Sequence, residues 1–358
     1  MKLHYILSRT LCSGLCGEWN ILPVSFKRTF SALSSNAVLI NQEVDKFDVA
    51  NKSNVAPLQK DSIDWKWQSS KTVVQCKYKN GKGMLPVEVN VFDNHLGSDA
   101  PTVVMLLGLS GSGDDFKDMV TFLSSAGIRC VAPEIPGFGD SEISRSDIYR
   151  LDFTSAGQSQ MLIDILKEID VGRIDSVVAH SAASWLAVRL GASQRHVKSL
   201  SLINPMSVCP NKAMRPYAWT KLVGATARKE KLWPIADSYI NIGARRSGFK
   251  IPQHKKRQMF VSLETVSTVD FDLVKQDAKT IQEKRLPAFV AWSQNDKMIE
   301  ESLTRHLLSL LDVQENVSTK PQSRYTKEVV FNNGGHVLHR KQAKSLSENI
   351  ISMLQQIL

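Results

Sequence analysis

The amino-acid sequence predicts an α/β protein: a mostly parallel sheet flanked by helices, with a helical insertion late in the chain. Three observations carry this. Short apolar runs of strand length alternate with stretches of helical periodicity from Thr102 onward. Two of the runs, the continuous Thr102–Leu107 and the mostly apolar, valine-rich Ile174–Ala179, read as strands covered on both faces. Between Met206 and residue 280 the alternation stops, and it resumes with the run Pro287–Ser293.

At 358 residues the chain is long enough for one large α/β domain with an insertion. An apolar fraction of 42% and a charged fraction of 22% are those of a globular protein, and no apolar run approaches the roughly 18 residues that would span a bilayer. Cysteines 12, 16, 76, 130 and 209 are scattered, odd in number and without metal-ligand spacing, which argues for a reducing compartment. There is no internal repeat, GxGxxG or P-loop pattern.

Residues 1–41 hold Lys2, Arg9, Lys27 and Arg28 against one acid, Glu18, and are rich in serine. That composition resembles a mitochondrial presequence, with Arg28-Thr29-Phe30-Ser31 as an arginine-anchored cleavage context, so a mitochondrial location is expected, with cytoplasmic as the alternative. Residues 42–70 are polar and irregular and read as a linker.

The core is expected to begin at residue 71. Thr72–Tyr78 and Val87–Phe92 alternate as half-buried strands, joined by the hairpin signal Asn80-Gly81-Lys82-Gly83. The apolar run Thr102–Leu107 enters the loop Gly108-Leu109-Ser110-Gly111-Ser112-Gly113. Phe116, Met119, Val120 and Leu123 then share a helical face that Gly127 closes. Ile128–Ala132 is the next strand, followed by Pro136-Gly137-Phe138-Gly139 and Ser141. A helix from about Thr154 to Ile169 turns Met161, Leu162, Ile165 and Leu166 inward. A glycine- and serine-rich loop before a helix also suits a phosphate, but no lysine follows it.

In Ile174–Val188 a valine-rich strand turns directly into a helix carrying Trp185, Val188 and Leu190, with only small residues, His180 and Ser181 at the corner. Such a corner forces the tip residue into a strained conformation and requires small neighbours two positions either side. That is the geometry of a nucleophile elbow, written G-x-S-x-G. Here both glycines are alanines, Ala179 and Ala183, which keep the small size. A serine near a helix start also suits an ordinary N-cap.

Val197–Ile203 is the next strand and ends at Asn204 with no acid. From Met206 to Phe260 there are twelve lysines and arginines against Glu230 and Asp237, interleaved with Tyr217, Trp219, Trp233, Tyr239 and Phe249. Residues 206–280 read as a helical cap between two core halves, 71–205 and 281–358. Its aromatics suit an apolar pocket. Its cations suit an anionic substrate or an acidic membrane surface, or are simply solvated faces. Pro287–Ser293 leads into Gln294-Asn295-Asp296, and Lys327–Phe331 into Asn332-Asn333-Gly334-Gly335-His336. A helix follows from about His339 to Leu354.

These motifs together resemble the α/β-hydrolase family: the Gly108–Ser112 loop, the Pro136–Ser141 loop, the Ser181 elbow, the Asp296 loop and Gly335-His336 after the last strand. The resemblance implies a mostly parallel eight-stranded sheet and a capped serine hydrolase acting on an ester, thioester or related acyl bond through an acyl-enzyme. It assigns Ser181 as nucleophile, His336 as base and Asp296 as the acid that orients it, in the chain order of this fold. Glu300 and His339 are weaker alternatives, and His180 is expected to point away from the tip. The oxyanion hole falls to the backbone N–H groups of Leu109 and Ala182. Leu107 stands where the family commonly has histidine, which bears on the bracing of that loop. Serine at the elbow disfavours the dehalogenase and epoxide-hydrolase branches, which need aspartate. The resemblance implies no cofactor and no metal and a small-molecule acyl substrate, to which the cap's cations and aromatics suit an anionic or lipid-like character. No nucleic-acid partner is expected, because no RNA- or DNA-binding motif accompanies the charge. A binding protein that has kept the pocket without catalysis, and cleavage of a carbon–carbon bond, are the alternatives.

Overall fold

The computed structural model describes residues 65–246, 256–313 and 324–358. The presequence-like segment 1–41 and most of the expected linker lie outside the described residues. Eight strands form one sheet: β1 (Gln68–Lys77), β2 (Met84–Asp93), β3 (Thr102–Leu106), β4 (Arg129–Pro133), β5 (Ser176–His180), β6 (Leu200–Ile203), β7 (Ala288–Ser293) and β8 (Thr326–Phe331). Their spatial order is β1-β2-β4-β3-β5-β6-β7-β8. β1 and β2 form the expected hairpin and join β4 antiparallel, and every later pairing is parallel. The sequence explains the split. β1 alternates exposed residues with buried Val74 and Cys76, whereas β3, β5, β6 and β7 are buried along their whole length, as strands covered by helices on both faces must be.

The helices are α1 (Lys117–Ser125), α2 (Arg145–Ile148), α3 (Ser155–Glu168), α4 (Ala183–Ser193), α5 (Tyr217–Ala227), α6 (Trp233–Arg246), α7 (Lys256–Ser267), α8 (Phe271–Glu283), α9 (Glu301–Leu311), α10 (Leu338–Lys341) and α11 (Ala343–Ile357). α1 and α11 pack together on one sheet face over a core with Phe116, Met119, Phe289, Leu346 and Ile350. α3, α4, α8 and α9 cover the other face around Leu162, Trp185, Leu190, Ile281 and Leu307. Local chemistry fixes the helix starts. The Thr154 hydroxyl accepts from the Gly157 N–H, and the Asp270 carboxylate from those of Asp272 and Leu273.

α5 packs on both α6 and α7, all three lying in sequence between β6 and α8, within the segment read from sequence as a cap. α8 straddles the end of that segment and packs on α4 and α9, and an Arg189–Asp277 ion pair of 2.8 Å joins it to α4. Several boundaries differ from the sequence reading, among them the start of the core, since β1 begins at Gln68, within the segment 42–70 read as linker. Val197 makes a single bridge to Ile174, so regular β6 starts later, at Leu200. The last helix is broken at Gln342 into α10 and α11, which lets the α10 turn bury Leu338 and His339 at the site.

Because β4 lies on one side of β3 and β5 on the other, the loops leaving β3 and β5 diverge and open a crevice at the carboxyl ends of the strands, where open α/β sheets place their ligands. The pairings His180–Ile203, Ile203–Ala291 and Ser293–Phe331 bring the chain segments that follow β5, β6, β7 and β8 to the same edge.

Candidate active site

β5 ends at His180, and α4 begins at Ala183. Ser181 between them has φ +56°, a left-handed conformation that costs a non-glycine residue energy and is held only by surrounding structure. Three contacts hold it. The Ser181 N–H donates to Ile203 O at 3.0 Å, its carbonyl accepts from Met206 N–H at 3.2 Å, and Gly108 lies against it. A Cβ on Gly108 would stand 3.0 Å from His180 O, 3.0 Å from Ser181 Cβ and 3.1 Å from Ala182 N, so any larger residue would push the loop after β3 a few tenths of an ångström from the elbow.

The structure brings together the residues that the sequence spreads over more than 150 positions. His336 Nε2 lies 2.9 Å from Ser181 Oγ, and His336 Nδ1 lies 2.8 Å from Asp296 Oδ2. Asp296 is nearly fully buried, and its other oxygen accepts from the Met298 and Ile299 N–H groups at 2.7 and 3.3 Å. A carboxylate only accepts, so Nδ1 carries the proton and Nε2 is left to accept from the serine hydroxyl. Glu300, the weaker acid candidate, pairs instead with Arg215 and with the Lys212 N–H.

Leu109 and Ala182 line the same cavity as Ser181 and His336, and neither backbone N–H donates a hydrogen bond among the described residues. Without histidine at 107, the loop is braced in other ways. Gly111 N–H donates to Gly108 O, the Ser110 and Ser262 hydroxyls meet at 3.3 Å, and Gly113 N–H donates to the buried carboxylate of Glu134 at 2.8 Å. Glu134 also accepts from Asp140 N–H and the Asn90 amide, fastening the loop after β4 to the one after β3.

His336 has supports that sequence reading missed. Asn204, fully buried at φ +41°, donates its amide to Gly335 O at 2.8 Å and His336 O at 2.9 Å and accepts from Ser293 N–H at 2.9 Å. Asn295 accepts from the Gly334 and Gly335 N–H groups and the Ser293 hydroxyl. His180 does not turn away from the site. Its Nε2 donates to His336 O at 2.7 Å, and its ring lies 4.2 Å from that of His339, centroid to centroid. Burial, then the neighbouring His339 and His336, hold His180 well below the usual imidazole range. Burial, then His336, pushes His339 down to about 4. Both are therefore neutral at neutral pH, and His339 Nδ1 is buried without a partner among the described residues. The one local signal for Asn204 was an asparagine, which tolerates the left-handed region, at a strand end.

The cavity above Ser181 has a volume of about 410 Å³. Met206, Met214, Met259 and Met298, with Leu263 and Val266, make its walls largely apolar. Asp115 and Arg340, which pair with each other, also line it. Among the described residues no group of histidine, cysteine and acidic side chains is placed to hold a metal ion.

The family model described as "Alpha/beta hydrolase of unknown function (DUF1057)" matches residues 68–355. The chain belongs to this α/β-hydrolase family. Solved structures of the same fold include a haloalkane dehalogenase from Bradyrhizobium elkani (12% identity, covering 82% of this chain and 99% of that one, TM-score 0.58). A thermophilic esterase from Thermogutta terrifontis is similar at 18% identity, 80% and 99% coverage and TM-score 0.55. The enol-lactonase from Burkholderia xenovorans LB400 is similar at 16% identity, 75% and 97% coverage and TM-score 0.53. No curated protein matches the sequence. The family match is what makes this chain an α/β-hydrolase, and the likenesses to solved structures, at such low identity, carry the fold alone.

Proposed function

We propose that this α/β-hydrolase is a serine hydrolase that cleaves an ester, thioester or related acyl bond of a substrate with an apolar acyl group. The observation that carries the reading is the hydrogen-bonded sequence Ser181–His336–Asp296 opening onto an apolar cavity. His336 Nε2 takes the Ser181 proton as Oγ bonds to the acyl carbon. The carbonyl oxygen becomes an oxyanion that accepts from the Leu109 and Ala182 N–H groups. Its collapse expels the alcohol or thiol, which leaves with the proton from His336. Asp296 holds the imidazole tautomer and stabilises the transient imidazolium. Water then gives its proton to His336 and attacks the acyl-enzyme. The second oxyanion collapses, Ser181 recovers the proton, and the carboxylic acid is released.

The acyl group faces a volume inside the roughly 300–1,000 Å³ of small-molecule sites, and its methionine walls adapt to chains of varied shape. The test is labelling by a fluorophosphonate. Wild type is expected to label and Ser181→Ala not to, and a panel of esters and thioesters then reads acyl preference. Well-folded wild type that neither labels nor turns over any ester would overturn the proposal. We also propose that residues 1–41 direct the chain to mitochondria, on the basic, serine-rich, acid-poor composition of that segment.

A further inference from the structure

α6 has two different faces. Tyr239, Ile240, Gly243 and Ala244 look into the cavity above Ser181. Pro234, Ile235, Ser238, Asn241, Ile242 and Arg245 are exposed, at the spacing of one outer stripe. α5, packed beside it, exposes Ala218, Trp219, Lys221, Leu222 and Ala225. Trp219, Leu222, Ile235 and Ile242 are each 49–52% exposed. The described residues leave nine large apolar side chains exposed, and these two neighbouring helices carry four of them. Scattered exposed apolar residues need no explanation, but a concentration on one surface does.

The exposed charge described around these residues has one sign. From Asn211 to Arg245 every described, fully exposed charged side chain is basic: Arg215, Lys221, Arg228, Lys229, Lys231 and Arg245. The span also holds two acids, Glu230 and Asp237, and Asp237 is half-buried. Arg215 and Arg228 are paired with Glu300 and Glu264, whereas Lys221, Lys229, Lys231 and Arg245 make no ion pair among the described residues. Exposed tryptophan, leucine and isoleucine set among lysine and arginine that make no ion pair among the described residues, Lys221 lying over the Tyr217 ring at 5.0 Å, match an anionic lipid surface. The apolar groups enter the acyl boundary, and the cations meet the headgroups. An acidic protein surface would satisfy the cations but leave the apolar groups unexplained.

We infer that the outer surface of α5 and α6 docks on an anionic lipid membrane. The inner face of α6 then sets the cavity beside that membrane, so an acyl substrate dissolved in the lipid meets the site without crossing bulk water. The docking itself does not rest on the hydrolase reading. It is tested with the full chain carrying Ser181→Ala, so that lipid turnover plays no part and failure of either reading leaves the other standing.

The assay is flotation with vesicles of phosphatidylcholine alone or with about one-third phosphatidylserine, at low and high salt. Binding is expected only to the anionic vesicles and is expected to fall as salt rises. A basic residue near such a surface is worth about fivefold in partitioning, so Lys221→Glu/Lys229→Glu/Lys231→Glu/Arg245→Glu is expected to weaken binding at least about a hundredfold. Trp219→Ser/Leu222→Ser/Ile235→Ser/Ile242→Ser is expected to weaken it at least about tenfold and to reduce its persistence at high salt. All eight positions are exposed, so both variants are expected to keep the wild-type far-ultraviolet circular dichroism. No binding, equal binding to neutral vesicles, or binding that survives both variants would overturn the inference. So would a wild-type dimer in vesicle-free solution that the apolar variant converts to monomer.

Discussion

Replacing Gly108 with alanine adds one methyl group at the point where the loop after β3 meets the elbow. The new Cβ would sit 3.0 Å from His180 O, 3.0 Å from Ser181 Cβ and 3.1 Å from Ala182 N, where ordinary contact needs 3.4–4 Å. The elbow cannot yield, because His180 is paired to Ile203 in the sheet and Ser181 is fixed by Ile203 O and Met206 N–H. The loop must therefore retreat by a few tenths of an ångström, taking the Leu109 N–H with it, while the Ala182 N–H stays behind on α4. Losing one oxyanion donor outright costs about 10²–10³ in rate, and a partial displacement of this kind is expected to cost on the order of 10²-fold. The rate constant for fluorophosphonate labelling of Ser181 and kcat on a nitrophenyl ester read this directly. Melting temperature is measured beside them. Gly172→Ala serves as the control, since a Cβ at Gly172 would meet nothing within 4 Å. The expected pattern is slow labelling by a folded Gly108→Ala protein, with Gly172→Ala at the wild-type rate. A folded Gly108→Ala protein that labels as fast as wild type would refute both the loop's role and the assignment of Leu109.

Asn204→Ala removes the amide that holds the Gly335 and His336 carbonyls and leaves buried groups unpaired, so kcat is expected to fall about 10²-fold with KM little changed and stability to drop by about 1–3 kcal/mol. A variant whose KM rises while kcat holds would place Asn204 in binding instead. His339 binds protons less readily in the folded chain than in the unfolded one, about 4 against 6.5, so its contribution is intact above pH 6.5 and is lost as pH falls toward 4. That linkage amounts to about 2 kcal/mol at pH 5, and urea unfolding should show His339→Phe losing less stability than wild type between pH 7 and pH 5. Equal losses in the two proteins would remove His339 as a source of acid sensitivity. Residues 1–41 fused to a fluorescent protein are expected to carry it into mitochondria, with Arg9→Glu/Arg28→Glu leaving it in the cytosol; diffuse fluorescence from the unaltered fusion would count against the targeting reading.

The parts of this site that were legible in the sequence are those written by local physics. A strand buried on both faces must be a run such as Val177-Val178-Ala179, and a tight strand-to-helix corner must be built from small residues. The chain must leave a parallel sheet at the carboxyl end of each strand, so Gly108, Ser181, Asp296 and His336 could be placed on one edge from their positions after successive apolar runs. The supports were illegible because each joins residues distant in sequence through a single pair of atoms. Asn204 reaches His336 across 132 positions, and Glu134 reaches Asn90 across 44. Neither contact leaves a periodicity. His180 was misread for a related reason. Alternation along a strand gives the face on which a side chain lies, but the loop that returns over that face is set by β8, far along the chain.

The two alanines flanking the elbow show what its glycines are for. Ser181 itself takes the positive φ, while Ala179 and Ala183 are not among the residues with positive φ. Glycine's conformational freedom is therefore unused at either flanking position. What these positions supply is lack of bulk, where β5 turns under α4 and both residues are buried. Alanine meets that demand and, at the first turn of α4, avoids the roughly 0.5–1 kcal/mol that glycine costs in a helix. The position where a side chain would crowd the elbow is Gly108, in another segment altogether, where the loop after β3 crosses it. The physical signature of this corner is thus a serine between two small residues, paired with a glycine that follows β3, and a pattern confined to the five residues around the serine registers only half of it.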